Sequence, residues 1–126
     1  MIMSNLDERN AVAEVIQEYI DSTYYADIAK LKNVFHEKAV MNGYLGPTLL
    51  LSEPSLFIED IAGNPSMESN NDPYNAEVKS INIEGNVASA AISETGFRGD
   101  AALVDFFHLI KTDGKWKIIS KLFTTI

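Results

Sequence analysis

Cysteine is absent from this 126-residue chain. That excludes disulfides, thiol chemistry and any cysteine-based zinc site. Histidine is scarce, with only His36 and His108. They fall on different predicted elements, and no third ligand stands at a recognised spacing, so the sequence offers no metal site. No apolar run approaches the roughly 20 residues needed to cross a bilayer. The opening MIMSNLDERN is too polar for a signal peptide. Together these features predict a cytoplasmic protein. Positive charge is also short: 10 basic against 18 acidic residues leave a formal net charge of −8, which argues against nucleic acid or an anionic membrane as partner. A glycine-rich phosphate loop, a G-x-S-x-G elbow and a basic stripe are all missing, so no cofactor is implied.

What is present is a chain that is 46% hydrophobic, enough for one domain over residues 1–126 with one core. Ser4 can cap a first helix, with Asp7 and Glu8 near its positive end. Val12, Val15, Ile16, Tyr19, Ile20 and Thr23 form its apolar stripe. Asp27 caps a short second helix carrying Ile28, Leu31, Val34 and Phe35, and His36 at its end can meet the negative pole. Ala39 to Tyr44 reads as a strand broken by Gly43 and Gly46-Pro47. Ser52 and Pro54 open a third helix that ends at Gly63. Asn64 to Asn75 is a long loop of the kind that serves as a lid.

The periodicity then changes. Ala76–Glu84 and Val87–Phe97 are strands around Gly85-Asn86, and Arg98-Gly99-Asp100 leads into a C-terminal hairpin turning at Asp113-Gly114. Helices gathered first and strands gathered last indicate α+β: three N-terminal helices on a strongly curved antiparallel sheet, forming a cone with an open mouth. With Thr112-Asp113-Gly114 as the loop, Asp105 falls opposite Lys121. One face then carries Asp105, Phe107, Leu109, Ile119, Lys121 and Phe123, and the other Phe106, His108, Ile110, Trp116, Ile118 and Ser120. The first face has the chemistry of a small-molecule pocket. Asp105 and Lys121 either orient a polar ligand or form a structural ion pair, and the spacing leaves both open. Phe106, Ile110, Trp116 and Ile118 would be an exposed apolar patch unless a second subunit covers it, which predicts a homodimer. Glu94 either lines the mouth or faces water, and the second is expected.

The strings YIDSTYYADIAKLKNVFHEKAVMNGYLG, FIEDIAGNPSM, SETGF and DFFHLIKTDGKWKIISK resemble the putative lumazine-binding family of the nuclear-transport-factor-2-like superfamily. The resemblance runs from Gln17 through Thr125. It implies a cone-shaped α+β fold, a homodimer and a pocket between sheet and helices for a small-molecule ligand. Set beside the ketosteroid isomerases of that superfamily, Tyr19 falls at the oxyanion-hole tyrosine and Asp105 at the oxyanion-stabilising aspartate. The general-base carboxylate would fall near Gly43 and Asn42, neither of which abstracts a proton. Steroid isomerisation is therefore excluded.

The reading is binding of a small planar, partly polar molecule, with Tyr19, Phe35, Tyr44, Phe57, Asp105, Phe107, Lys121 and Phe123 as candidate ligand contacts. Two alternatives stand beside it. One is a cyclase or dehydratase using Tyr19 and Asp105. The other is a non-catalytic, dimeric protein-interaction module.

Overall fold

The computed structural model describes residues 4–126. Helix α1 (Asn5–Tyr25) opens where the Ser4 hydroxyl accepts from the Asp7 N–H at 3.1 Å and closes at Ala26, whose φ of 55° is left-handed. Helix α2 (Ile28–Val34) is capped by Asp27, which accepts from the Lys30 N–H. The chain turns extended at Phe35 and runs directly into strand β1 (Phe35–Leu45). His36 thus lies in β1 rather than at a helix end, and its Nδ1 accepts from the Lys38 N–H at 2.9 Å. Next come β2 (Thr48–Ser52) and α3 (Pro54–Ala62), then β3 (Asn75–Glu84), β4 (Val87–Phe97), β5 (Ala101–Thr112) and β6 (Lys115–Thr125). The third helix starts at Pro54 with Glu53 as a cap that makes no side-chain bond, because Ser52 is held in β2.

The six strands form one sheet in the order β2-β1-β6-β5-β4-β3. The expected meander occupies β3 to β6, and every pair is antiparallel except β1 with β6, which run parallel and make the sheet mixed. Each ladder except β1–β2 carries a register shift. Such bulges bend strands and deepen twist. The helices pack on the sheet, α1 on β3 and β6 and α3 on β1. Val12, Ile16, Leu31, Ile92, Leu109 and Ile118 are buried between them. The loop after α3 is tied down: Met67 is buried, its sulfur accepts from the Arg98 N–H, and the Glu68 N–H donates to the Tyr24 carbonyl.

The C-terminal hairpin differs from the sequence expectation in two compensating ways. Its turn has two residues, Asp113 and Gly114, both at positive φ (52° and 75°), so Thr112 pairs with Lys115. That is the primed turn matching strand twist. One residue fewer in the loop reverses the faces of the first half of β6. Trp116 and Ile118 therefore point into the core and not outward. A bulge at Ile119, between the His108–Ser120 and Leu109–Ile118 pairs, reverses the faces again. Lys121 and Phe123 return to the side that carries Asp105 and Phe107, with Lys121 opposite Phe107 and Phe123 opposite Asp105.

Candidate functional site

A cavity of about 320 Å³ lies between the sheet and helices α1 and α3. Tyr19 of α1, Glu94 of β4 and Lys121 of β6 form its polar floor, Phe57, Met41, Leu103 and Phe123 its apolar sides, and Leu50, Glu53, Leu56 and Asp60 part of the remaining wall. Lys121 is only 5% exposed. Its Nζ donates to the Tyr19 hydroxyl at 2.5 Å and sits 4.1 Å from the Phe57 ring centre, with the Tyr19 and Phe123 rings at 5.0 and 5.3 Å. An ammonium desolvated among ring faces is held by their quadrupoles.

Asp105 lies behind this wall, fully buried. Its Oδ2 is 3.9 Å from Lys121 Nζ and accepts a long hydrogen bond, 3.5 Å, from the Tyr19 hydroxyl. The ion pair is therefore too long for a direct hydrogen bond and is bridged by the phenol. Burial, with the neighbouring carboxyls of Asp105 and Glu94, holds the Tyr19 hydroxyl well above its usual range, so the phenol keeps its proton.

Glu94 does not face water. It is 3% exposed and accepts a short hydrogen bond from the Tyr74 hydroxyl. On β4 it stands two residues from Ile92, the partner of Asp105, so the two carboxyls are diagonal neighbours on one face. Burial first, and then the hydrogen bond with Asp105 and its charge, push the Glu94 carboxyl up to about 9, against a smaller opposing pull from Lys121. Asp105 Oδ1 has no hydrogen-bond donor among the described residues. A bond between the two carboxyls requires a proton on one of them, and the upward push on Glu94 favours that side. Tyr74 is likewise held far above the usual phenol range, by burial and then by Glu94.

The structure brings Tyr19, Phe57, Lys121 and Phe123 to the cavity wall. Phe35 and Phe107 stand behind Tyr19, packing edge-on against its ring at 6.1 and 5.0 Å. Tyr44 is a correction: inward positions on β1 are Ala39, Met41 and Gly43, so the alternation turns Tyr44 outward, where it is 46% exposed. Sequence reasoning leaned to solvent for Glu94 and gave Tyr74 no role. Strand alternation from the buried Ala90 and Ile92 was the available signal for Glu94.

Gly43 has its own requirement. A Cβ there would meet the Phe123 carbonyl oxygen at 2.0 Å and the ring at 2.7 Å. No carboxylate can stand at that position, which agrees with the exclusion of a steroid isomerase base.

Comparison with known proteins is consistent with this geometry. The family model described as putative lumazine-binding matches residues 7–124. No curated protein matches the chain. Among solved structures, a nuclear-transport-factor-2-like protein of unknown function from Shewanella baltica is 26% identical, with a TM-score of 0.85 over 99% of this chain and 98% of that one. One from Silicibacter pomeroyi, also of unknown function, is 20% identical with a TM-score of 0.88 over 98% and 100%. A putative dehydratase from Streptomyces avermitilis is 12% identical with a TM-score of 0.69 over 98% and 99%, a likeness of fold alone. No described helix is long and apolar enough to cross a membrane.

Proposed function

The chain belongs to the putative lumazine-binding family, with a nuclear-transport-factor-2-like fold, and on that premise we propose that its cavity binds a small, planar, partly polar molecule. The observation that carries the reading is Lys121: a buried ammonium at the floor of an otherwise apolar cavity, boxed by Phe57, Tyr19 and Phe123. A flat ring fits between such side chains, and a ring oxygen completes the ammonium's hydrogen bonds. Tyr19 and Lys121 serve as the polar contacts, Phe57 and Phe123 as the stacking surfaces, and Phe35, Phe107 and Asp105 as the support that fixes Tyr19 and Lys121. Native mass spectrometry of the protein as purified tests this. A bound mass of a few hundred daltons that is lost in Lys121→Met supports the reading; a ligand retained equally by that variant refutes the site.

A catalytic reading has one specific observation in its favour. Glu94 lines the cavity and holds a proton at neutral pH, as a general acid must. A dehydratase or cyclase of this kind would use Glu94 to deliver the proton and Tyr19 with Lys121 to steady the developing negative charge, with Asp105 placed behind them.

The chain also acts as a homodimer in this reading. Phe106 and Leu122 are paired neighbours on the outer sheet face, and each is about half exposed. A second sheet would cover them. Trp116 and Ile118, buried in the core, take no part.

A further inference from the structure

We infer that Glu94 sets the ligand class of the cavity: by keeping its proton against Asp105 it holds the floor electrically neutral with an open ammonium donor, and so selects an uncharged molecule bearing a carbonyl oxygen on an apolar body over a carboxylate or an amine. The inference deepens the binding reading above and rests on it.

Glu94, Asp105 and Lys121 are 3%, 0% and 5% exposed, with Tyr19 from α1 and Tyr74 from the loop before β3 packed against them. Two ionised carboxylates against one ammonium would leave a net buried negative charge, which costs several kcal/mol without a partner. Geometry picks the carboxyl that avoids it. Asp105 Oδ2 stands 3.9 Å from Lys121 Nζ and accepts from Tyr19, whereas Glu94, which accepts from Tyr74, makes no ion pair among the described residues, and burial pushes its carboxyl up.

Lys121 Nζ gives one proton to Tyr19 and stands beyond hydrogen-bond range of Asp105. Among the described residues no further acceptor lies within hydrogen-bond range of its remaining protons, which meet aromatic faces and the cavity. Tyr19 spends its own proton on Asp105. A ligand therefore meets a donor at the floor and must supply an acceptor oxygen.

Discrimination follows from the same charges. A ligand ammonium at the floor would lie against Lys121, and the unpaired carboxylate of the lining, Glu53, stands on the wall and not beside the floor. A ligand carboxylate would meet a cation that Asp105 already balances, and would lose its water between Phe57 and Phe123. On its way in it would pass Glu53 and Asp60 on the cavity wall, the second paired with Arg98.

Three probes with one ring and different heads test this: acetylnaphthalene, naphthoate and naphthylmethylamine, titrated by calorimetry into wild type and Glu94→Gln. Glutamine can still donate to Asp105 and accept from Tyr74, and a thermal melt checks that the variant is folded. At pH 7 acetylnaphthalene should bind wild type at least about tenfold tighter than either charged probe. Its affinity should fall about tenfold from pH 8 to pH 10 as Glu94 loses its proton, and stay flat in Glu94→Gln. Naphthoate or the amine binding as tightly, or the same pH loss in Glu94→Gln, overturns the inference alone. If none of the three binds, the binding reading falls with it.

Discussion

Lys121 Nζ is 2.5 Å from the Tyr19 hydroxyl and 3.9 Å from Asp105 Oδ2, so a phenol stands between the two charges of a buried ion pair. The site is thus a single unit in which Tyr19 accepts from the ammonium and donates to the carboxylate. Removing any member leaves another without its partner.

Asp105→Ala should lower the unfolding free energy by about 3–5 kcal/mol, the usual cost of stranding a buried charge. Adding Lys121→Met should recover a large part of that loss, because the stranded charge is gone. Urea denaturation of the two single variants and the double variant measures this; strictly additive losses would show that the two charges do not interact. The surviving Asp105→Ala protein should bind an anionic ring better than wild type does.

Glu94 makes stability depend on pH with a definite sign. Its folded value of about 9 lies above the ordinary 4.5, so between those limits the folded state holds more protons than the unfolded one. Stability is fully present below about pH 4.5, falls as pH rises and levels off above about pH 9. The loss by pH 7 is on the order of 3 kcal/mol. Glu94→Gln should be more stable than wild type at pH 8 and should flatten this slope. A wild-type midpoint that rises from pH 5 to pH 8 in urea titrations would contradict the assignment.

Gly43→Ala should cost about 1–3 kcal/mol or more, because the new methyl meets backbone at Phe123 and one strand must move. As Phe123 forms a side of the cavity, ligand affinity should fall with stability. Unchanged melting and unchanged binding would mean that β1 and β6 lie farther apart than described.

Phe106→Lys with Leu122→Lys should convert the dimer to a monomer without unfolding it, since both side chains are exposed on the outer face. Light scattering at micromolar concentration reads the result. A wild type that is already monomeric there removes the proposed interface.

The α+β architecture was legible because α1 has one clean apolar stripe and β3 to β6 are marked by turn residues at Gly85-Asn86, Arg98-Gly99-Asp100 and Asp113-Gly114. Strand β2 was not. Thr48 to Ser52 is short, has no alternation and ends in a serine that reads as a helix cap. The parallel β1–β6 contact is equally invisible locally, because it joins residues about eighty positions apart. In the hairpin, Asp105 and Lys121 were placed on one face although both steps of the register were off by one. The turn moved it once and the bulge at Ile119 moved it again, restoring the parity of Lys121 but not of Trp116 and Ile118. Glu94 escaped because a glutamate in a polar string is ordinarily solvated. Only the burial of its neighbours in alternation, and the distant Tyr74, make room for it inside.

The measurement that bears most directly on the account is calorimetric titration of wild type with lumazine, riboflavin and flavin mononucleotide. One ammonium, already balanced by Asp105, is too little positive charge for a phosphate brought into this cavity. The account predicts that the phosphate-free rings bind more tightly than the mononucleotide and that Lys121→Met weakens them. Much tighter binding of the mononucleotide would contradict it.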